Sequence, residues 1–534
     1  MSLQGHSKRS WLAVIEFIAL AALFSIVYTQ SPLYTSNQNQ YFLHGLARAG
    51  YGTLSEDWLA NTLDPTPLFS FLVEWTYRLT HLEGLFYIYY ALLMGVYLIS
   101  LLGIVEAVFP LRSSPELPLS ARYLVYLSLV LLVHSAAWRF ALSRTLGDNW
   151  SYILEDGVAD QRLLGPVLQP SAFGALLLLS IYLFLRGRPI WAAICATAAA
   201  TLHPTYLLSA AALTAAFVWV GWLEASLQSR ASDGPLRLAG VKAKLAKASL
   251  PGWVALAAVL PILAYVYLNF GDTPPETTAQ AQDILVNFRI PHHALLSWWF
   301  DATAVIKIVL VLFALYLVRK NRLFWMVAIP LGVAVVLTLA QVLTGSNVLA
   351  LLFPWRLSTF LVPLSTVIIL AWLVGKVSER FARLFQGRAL RFLSLVLMAL
   401  LVVVGVIRMA LDFKRQAFAS ERPLEAFVSA HRASGQLYLT PTKMQDFRLA
   451  SGSPAFVDFK SIPYRDSDVL EWYRRVLLAD RFYKRHDCPL LSKLILDEKI
   501  THVVFPLEQG ELACPGLEQV YQDGYFALFQ VQSP

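Results

Sequence analysis

Asn37-Gln38-Asn39-Gln40-Tyr41-Phe42-Leu43-His44, continuing through Glu56-Asp57-Trp58-Leu59 to Leu63-Asp64-Pro65-Thr66-Pro67-Leu68, is a polar insertion between two apolar runs, each long enough to cross a bilayer. Spanning residues 29–83, it is too long for a simple connector and too rich in aromatic residues for a disordered one. It sets acids, amides and a histidine beside an expected membrane surface. The rest of the chain reads as the scaffold that positions it.

Working outward, 57% of the 534 residues are hydrophobic and only 15% are charged, the composition of a polytopic helical membrane protein. Apolar runs recur near 11–28, 84–109, 122–137, 167–185, 190–202, 206–223, 251–269, 302–318, 323–343, 357–375 and 392–411. They predict about 11 transmembrane helices, the two at 190–223 being short. The first follows Lys8-Arg9 and leads into Tyr28-Thr29-Gln30 rather than a small-residue cleavage motif, which predicts a retained helix.

Positive charge orients such helices. With the N-terminus inside, the inside segments carry 19 Lys and Arg against 4 acids (Glu116, Glu224, Asp233 and Glu379), Arg112 being one of the basic residues. The outside loops 29–83, 138–166, 270–301 and 344–356 carry 7 Lys and Arg against 13 acids. An odd number of spans then puts residues 412–534 outside. The net charge of +8 is thereby explained by helix orientation and anionic lipid, with no need of a nucleic-acid partner.

From residue 412 the chain changes character. Short strands are predicted at Gln436–Thr440, Ala455–Phe459, Thr501–Phe505 and Tyr525–Phe529, alternating with helices near 421–431, 467–483 and 489–498. The expected division is therefore a transmembrane domain, 1–411, and a small extracytoplasmic α/β domain, 412–534. Cys488 and Cys514 both fall in the second, where a disulfide is permitted; their spacing fits no zinc pattern, and the sequence leaves open whether they are bridged.

Residues 37–50 read as an amphipathic segment lying in the membrane interface, with Tyr41 and Phe42 at headgroup depth. Arg162 closes the second outside loop, where it suits either a phosphate or a pairing with Asp160. His203 interrupts an apolar stretch at an expected outside tip, as a turn or as a functional polar group. Arg356 is the only formal charge of its loop, an interface anchor or a counter-ion for lipid phosphate. The adjacent His292 and His293 cannot face one way on a helix, which argues against a two-histidine metal site.

The chain lacks a phosphate-binding glycine loop, a dinucleotide fingerprint, a nucleophile elbow and a two-histidine zinc motif. What it offers is outside-facing acids, Asp57 and Asp64, and cations, Arg162 and Arg356, from different loops. An acid beside phosphate-binding cations suits glycosyl transfer: the carboxylate takes the acceptor's proton and the cations hold the departing phosphate.

This architecture resembles the GT-C superfamily of polytopic glycosyltransferases, which use polyprenyl- or dolichyl-phosphate sugars. Many members carry an Asp-Glu pair, two residues and Tyr, then a helix, a Gly-Asp-Trp-like step and an acidic-Pro-Pro-Leu-like turn. Here the order is Asn37-Gln38-Asn39-Gln40-Tyr41, a helix to Gly50, Glu56-Asp57-Trp58-Leu59, and Asp64-Pro65-Thr66-Pro67-Leu68. The family's acidic pair is replaced by amides, which bind hydroxyls or phosphate but cannot act as a base.

The resemblance implies a sugar transferase on the outer face of a plasma membrane, expected to be bacterial. Asp57 or Asp64 would be the base, Arg162 and Arg356 would hold phosphate, and Asn37, Gln38, Tyr41 and His203 would position substrate. The donor would be a polyprenyl-phosphate sugar in the bilayer, and the acceptor a glycan, lipid or protein. No cofactor is expected, and the metal-dependent version is disfavoured because amides are poor ligands for a hard cation. The alternatives are a non-catalytic glycolipid-binding relative and a transporter or flippase. The second lacks the expected pair of matching broken helices.

Overall fold

The computed structural model describes residues 3–111, 120–230 and 237–532. Arg112, Glu116 and Asp233, counted above among the inside charges, lie outside the described residues.

Among the described residues, seven helices are long and apolar enough to cross a membrane: Trp11–Tyr28, Leu85–Val108, Pro204–Leu227, Lys242–Phe270, Leu323–Thr344, Asn347–Arg380 and Arg388–Ala417. Ala121–Val133 and Ala136–Leu146 make an eighth if counted as one span bent by 54°. The bend is built in by sequence: Ser135 accepts from Trp138 N at 3.0 Å and so caps a new helix within the apolar run. Pro170–Leu185, Pro189–Leu202 and Ala302–Leu317 are apolar but shorter. A helix thus stands at every expected run, and length alone qualifies seven or eight of the eleven as spans.

Close approach joins the two ends of the bundle. At Gly405 a Cβ would collide with the Ile26 carbonyl, so the Arg388–Ala417 helix can lie against the first only because this position has no side chain. The opposite face of that helix leaves Leu393, Leu400, Val403 and Ile407 exposed, as lipid contact requires.

The C-terminal portion holds a four-stranded sheet in the order β1 (Tyr438–Leu439), β2 (His502–Pro506), β4 (Phe526–Val531), β3 (Leu517–Gln522). β1 runs parallel to β2, and β4 is antiparallel to β2 and β3. Helices Arg422–His431, Asp466–Arg485 and Cys488–Glu498 stand where the sequence predicts them. The strand expected at 455–459 is reduced to a bridge between Ala455 and Tyr438. Side chains take the groups it would have paired: Ala455 N donates to Asp57 at 3.0 Å and its carbonyl accepts from Arg448 at 2.8 Å. β3 escaped prediction because it is largely polar and exposed. Cys488 and Cys514 are bridged, with Cα atoms 5.3 Å apart.

The interfacial placement expected for residues 37–50 is corrected. The segment forms short helices Gln38–Tyr41 and Leu43–Arg48, with Phe42, Leu43 and Leu46 fully buried. Phe42 packs on Phe69 and Phe86, and the loop beyond it docks on the C-terminal portion through Thr53 N to Gly452 O at 2.8 Å. Burial against protein on both sides replaces burial in lipid.

Candidate functional site

The expected loops do converge. A cavity of about 1020 Å³ is lined by residues from the first loop (Asn37, Gln40, Tyr41), the second (Asp156 to Arg162), the 203–205 turn, the 285–293 segment, the Phe353–Arg356 turn and Lys460–Tyr464. Seven cationic side chains line it, Arg139, Arg162, Arg289, Lys307, Arg356, Arg408 and Lys460, against four carboxylates, Asp148, Asp156, Asp160 and Asp412.

Arg356 sits in the 3₁₀ turn Pro354–Leu357, entered through a left-handed Phe353 (φ 49°). Its Nη1 donates to Gln161 Oε1 at 2.5 Å and its Nη2 to His203 Nε2 at 2.7 Å, while the guanidinium lies 5.1 Å from the Tyr206 ring centre. Its Nε is buried without a partner, and among the described residues no carboxylate pairs with it. Because the guanidinium can only donate, His203 must accept at Nε2 and carry its proton on Nδ1. Burial, and then Arg356, push this histidine well below its usual pKa, and Nδ1 is itself buried and unpartnered.

Lys307, 5% exposed, donates to the Gly157 carbonyl at 2.8 Å. That carbonyl belongs to a tightly folded loop, Asp156–Arg162. Val158 N donates to Ser358 Oγ at 2.7 Å, and a Cβ on Gly157 would stand 2.5 Å from the same oxygen. Ala159 and Asp160 both have positive φ, 58° and 52°. Such left-handed non-glycine residues cost about 1–3 kcal/mol each and persist where the surroundings over-determine them. The turn leaves Asp160 exposed in the cavity, with no hydrogen bond or ion pair among the described residues. Its field reaches Arg162, Lys307 and His292. Asp156, by contrast, is buried, is raised above the usual carboxylate range by desolvation, and pairs with Arg162 Nε at 2.8 Å.

The residues proposed from sequence therefore separate. Asn37, Tyr41, Arg162, His203 and Arg356 line the cavity, whereas Gln38, Asp57 and Asp64 do not. Arg162 is there, but its charge is matched by Asp156 and its guanidinium stacks 3.9 Å from the Tyr152 ring centre. Asp57 is corrected as a base. It is fully buried, and it accepts from Leu59 N and Ala60 N at one oxygen and from Arg448 Nε (2.7 Å) and Ala455 N at the other. Asp64 is corrected likewise: it holds Arg48 through both Nη atoms at 3.1 Å and Thr66 N at 2.9 Å, starting the helix Pro67–Thr80.

Two amides of the first loop, Gln38 and Gln40, have a structural reason. Gln38 accepts from Tyr34 N (2.7 Å) and donates to Leu168 O (3.2 Å), and Gln40 accepts from Ile462 N (2.8 Å) and donates to Ile462 O (2.7 Å). Both use the donor that a carboxylate lacks. Gln40 thereby fixes the 460–464 segment over the cavity.

The sequence did not single out Asp160, Lys307, Arg289 or Lys460 as site residues. Lys307 had a signal, a charge within an apolar run; Lys460 had none. Among the described residues no three His, Cys, Asp or Glu side chains are placed to share an ion, and Asn37 offers a neutral amide, a poor ligand for a hard cation.

A family model described as a domain of unknown function (DUF6798) matches residues 419–479, the stretch that supplies Arg448, Asp458, Lys460 and Tyr464. A search of curated proteins finds no match. Among solved structures the chain is similar to ArnT from Cupriavidus metallidurans, bound to undecaprenyl phosphate, at 13% identity and TM-score 0.47, over 98% of this chain and 99% of that one. It is also similar to the archaeal oligosaccharyltransferase AglB from Archaeoglobus fulgidus, in complex with an inhibitory peptide and a dolichol-phosphate, at 12% identity and TM-score 0.42, over 94% of this chain and 70% of that one.

Proposed function

We propose that the protein is a GT-C-type membrane glycosyltransferase whose cavity binds a polyprenyl-phosphate sugar on the outer face of the membrane. The observation that carries this reading is Arg356: a part-buried guanidinium with no carboxylate partner among the described residues, on a cavity that Lys307 also lines and that has more cations than acids. A phosphate supplies the missing charge and the missing acceptors. Asn37, Tyr41 and His203, whose Nδ1–H has no partner, face the same space as donors or acceptors for sugar hydroxyls. The charge asymmetry of the loops and the Cys488–Cys514 bridge, which suits an oxidising compartment, support an outside position for the cavity and for residues 412–534.

In this reading Asp160 is the base, in place of the amide pair and of the buried Asp57 and Asp64. Its carboxylate takes the proton of an acceptor hydroxyl as that oxygen bonds to the anomeric carbon. The bond from that carbon to the phosphate oxygen breaks, and the lipid phosphate leaves with the electron pair, its charge held by Arg356 and Lys307. The amides at 37 and 38 favour a second reading, a relative that binds glycolipid without turnover.

The two are separated by incubating purified protein with a panel of short-chain polyprenyl-phosphate sugars and a membrane extract as acceptor source. Liberated polyprenyl phosphate is followed by mass spectrometry. Wild type is expected to release it, and Asp160→Asn to lose about 10²-fold or more of that rate with donor binding retained. Donor binding without release by wild type would establish the non-catalytic reading, and an unchanged rate in Asp160→Asn would remove it as the base.

A further inference from the structure

The transfer step accounts for Arg356 and Lys307 but leaves another group of cations unused. Arg289 ends the π-helical segment Ile284–Arg289, and Lys460 comes from the C-terminal portion. Arg289 Nη2 donates to the Lys460 carbonyl at 2.7 Å, its guanidinium lies 5.1 Å from the Phe459 ring centre, and its Nε is buried without a partner. The Lys460 ammonium has no hydrogen-bond or ion-pair partner among the described residues. The acid that acts on both, Asp458, is committed to Arg448 and to Ser461 N at 2.6 Å. Burial, and then Arg289, push Lys460 below its ordinary range. Two like charges held side by side without a counter-ion are unfavourable unless an anion joins them.

This pair comes from segments other than the turn that holds Arg356. His293 is acted on by both Arg356 and Arg289 and, with Nδ1 donating to the Ala159 carbonyl at 2.7 Å, is fixed as a neutral ring on the cavity wall. Tyr464 is likewise acted on by both arginines. Neutral rings therefore stand within reach of two cationic groups, contributed by different segments.

We propose that Arg289 and Lys460 form a second anion subsite, so that the substrate filling the cavity carries two acidic groups, one at Arg356 and Lys307 and one here. The second group is a phosphate or a carboxylate. It belongs either to a lipid diphosphate or to an acidic sugar or acceptor. The inference rests on the donor-cavity reading for its first charge and on Arg289 and Lys460 for its second.

The test measures binding of farnesyl phosphate, farnesyl diphosphate and glucuronic acid to the full-length protein in detergent. It compares wild type with Lys460→Gln, Arg289→Gln/Lys460→Gln and Arg356→Gln. Two charge-assisted contacts predict about a 10-fold or greater gain from the second acidic group. That gain is expected to vanish in the double variant and shrink in Lys460→Gln, while farnesyl phosphate affinity stays within about 3-fold of wild type. A gain for farnesyl diphosphate over farnesyl phosphate assigns the charge to the lipid; glucuronate binding alongside saturating farnesyl phosphate assigns it to the sugar or acceptor. No gain in wild type, or a gain that survives in the double variant, overturns the subsite. If farnesyl phosphate fails to bind while diphosphate or glucuronate binding still depends on Arg289 and Lys460, the donor reading falls and the subsite stands.

Discussion

Arg448 and Arg356 are both withdrawn from solvent, yet their surroundings are opposite. Arg448, 3% exposed, donates from Nε to Asp57, from Nη1 to Asp458 and from Nη2 to the Ala455 carbonyl at 2.8 Å, so each nitrogen is used and its charge is met twice over. Arg356 is held by Gln161 and neutral His203, keeps a free Nε and meets no carboxylate among the described residues. One arginine is complete within the protein and fastens the first loop to the C-terminal portion. In our proposal the other is completed by something the protein binds. The location of an arginine near a membrane surface does not separate these roles; its counter-charge does.

The comparison breaks most visibly under truncation. Arg448→Met leaves Asp57 and Asp458 buried together without a cation, a change expected to cost about 3–5 kcal/mol. Thermal unfolding in detergent should show a lowered midpoint and early loss of the C-terminal portion. An unchanged midpoint would mean that the clamp is not structural. Gln38→Glu sharpens the same contrast for the amides. It removes the donor to Leu168 O and puts a carboxylate in a fully buried position, for an expected loss of about 1–3 kcal/mol. Gain of activity without loss of stability would mean that position 38 still wants the family's acid.

The smallest effect is a pH dependence from His203. Its pKa in the folded protein lies well below the ordinary 6.5, through burial and Arg356. Below that ordinary value the unfolded chain takes up a proton that the folded protein refuses. Stability from this residue is therefore full above about pH 6.5 and falls as pH drops further, by up to about 1.4 kcal/mol per unit. His203→Gln keeps an acceptor for Arg356 and removes the titration, so the unfolding midpoint should depend less steeply on pH below 6.5. Equal slopes in both proteins would mean that His203 is not held neutral.

The membrane architecture was legible because an apolar run betrays a helix from composition alone, and helices stand at each expected position, although three are shorter than a bilayer requires. The site was legible only in part. Arg356 and His203 drew notice because a polar group in an apolar setting is costly. Asp57 drew notice as an acid of the outside loop and is held as a structural group, by Arg448, a partner 391 positions along the chain. Amides at 37 and 38 were visible, but what Gln38 does depends on a backbone group as distant as Leu168. Asp160 looked like a surface partner for Arg162, and only the folded loop shows Arg162 taken by Asp156 and Asp160 left open.

The central claim, that Arg356 is completed by a lipid phosphate, is tested most directly by native mass spectrometry of the purified protein, comparing wild type with Arg356→Gln. Wild type is expected to retain a polyprenyl phosphate or its sugar conjugate. Arg356→Gln should lose most of it, as removal of a charge-assisted contact worth about 1.5–3 kcal/mol predicts, with an unfolding midpoint no lower than that of wild type. Equal retention in both proteins, or bulk phospholipid alone in both, would contradict the claim.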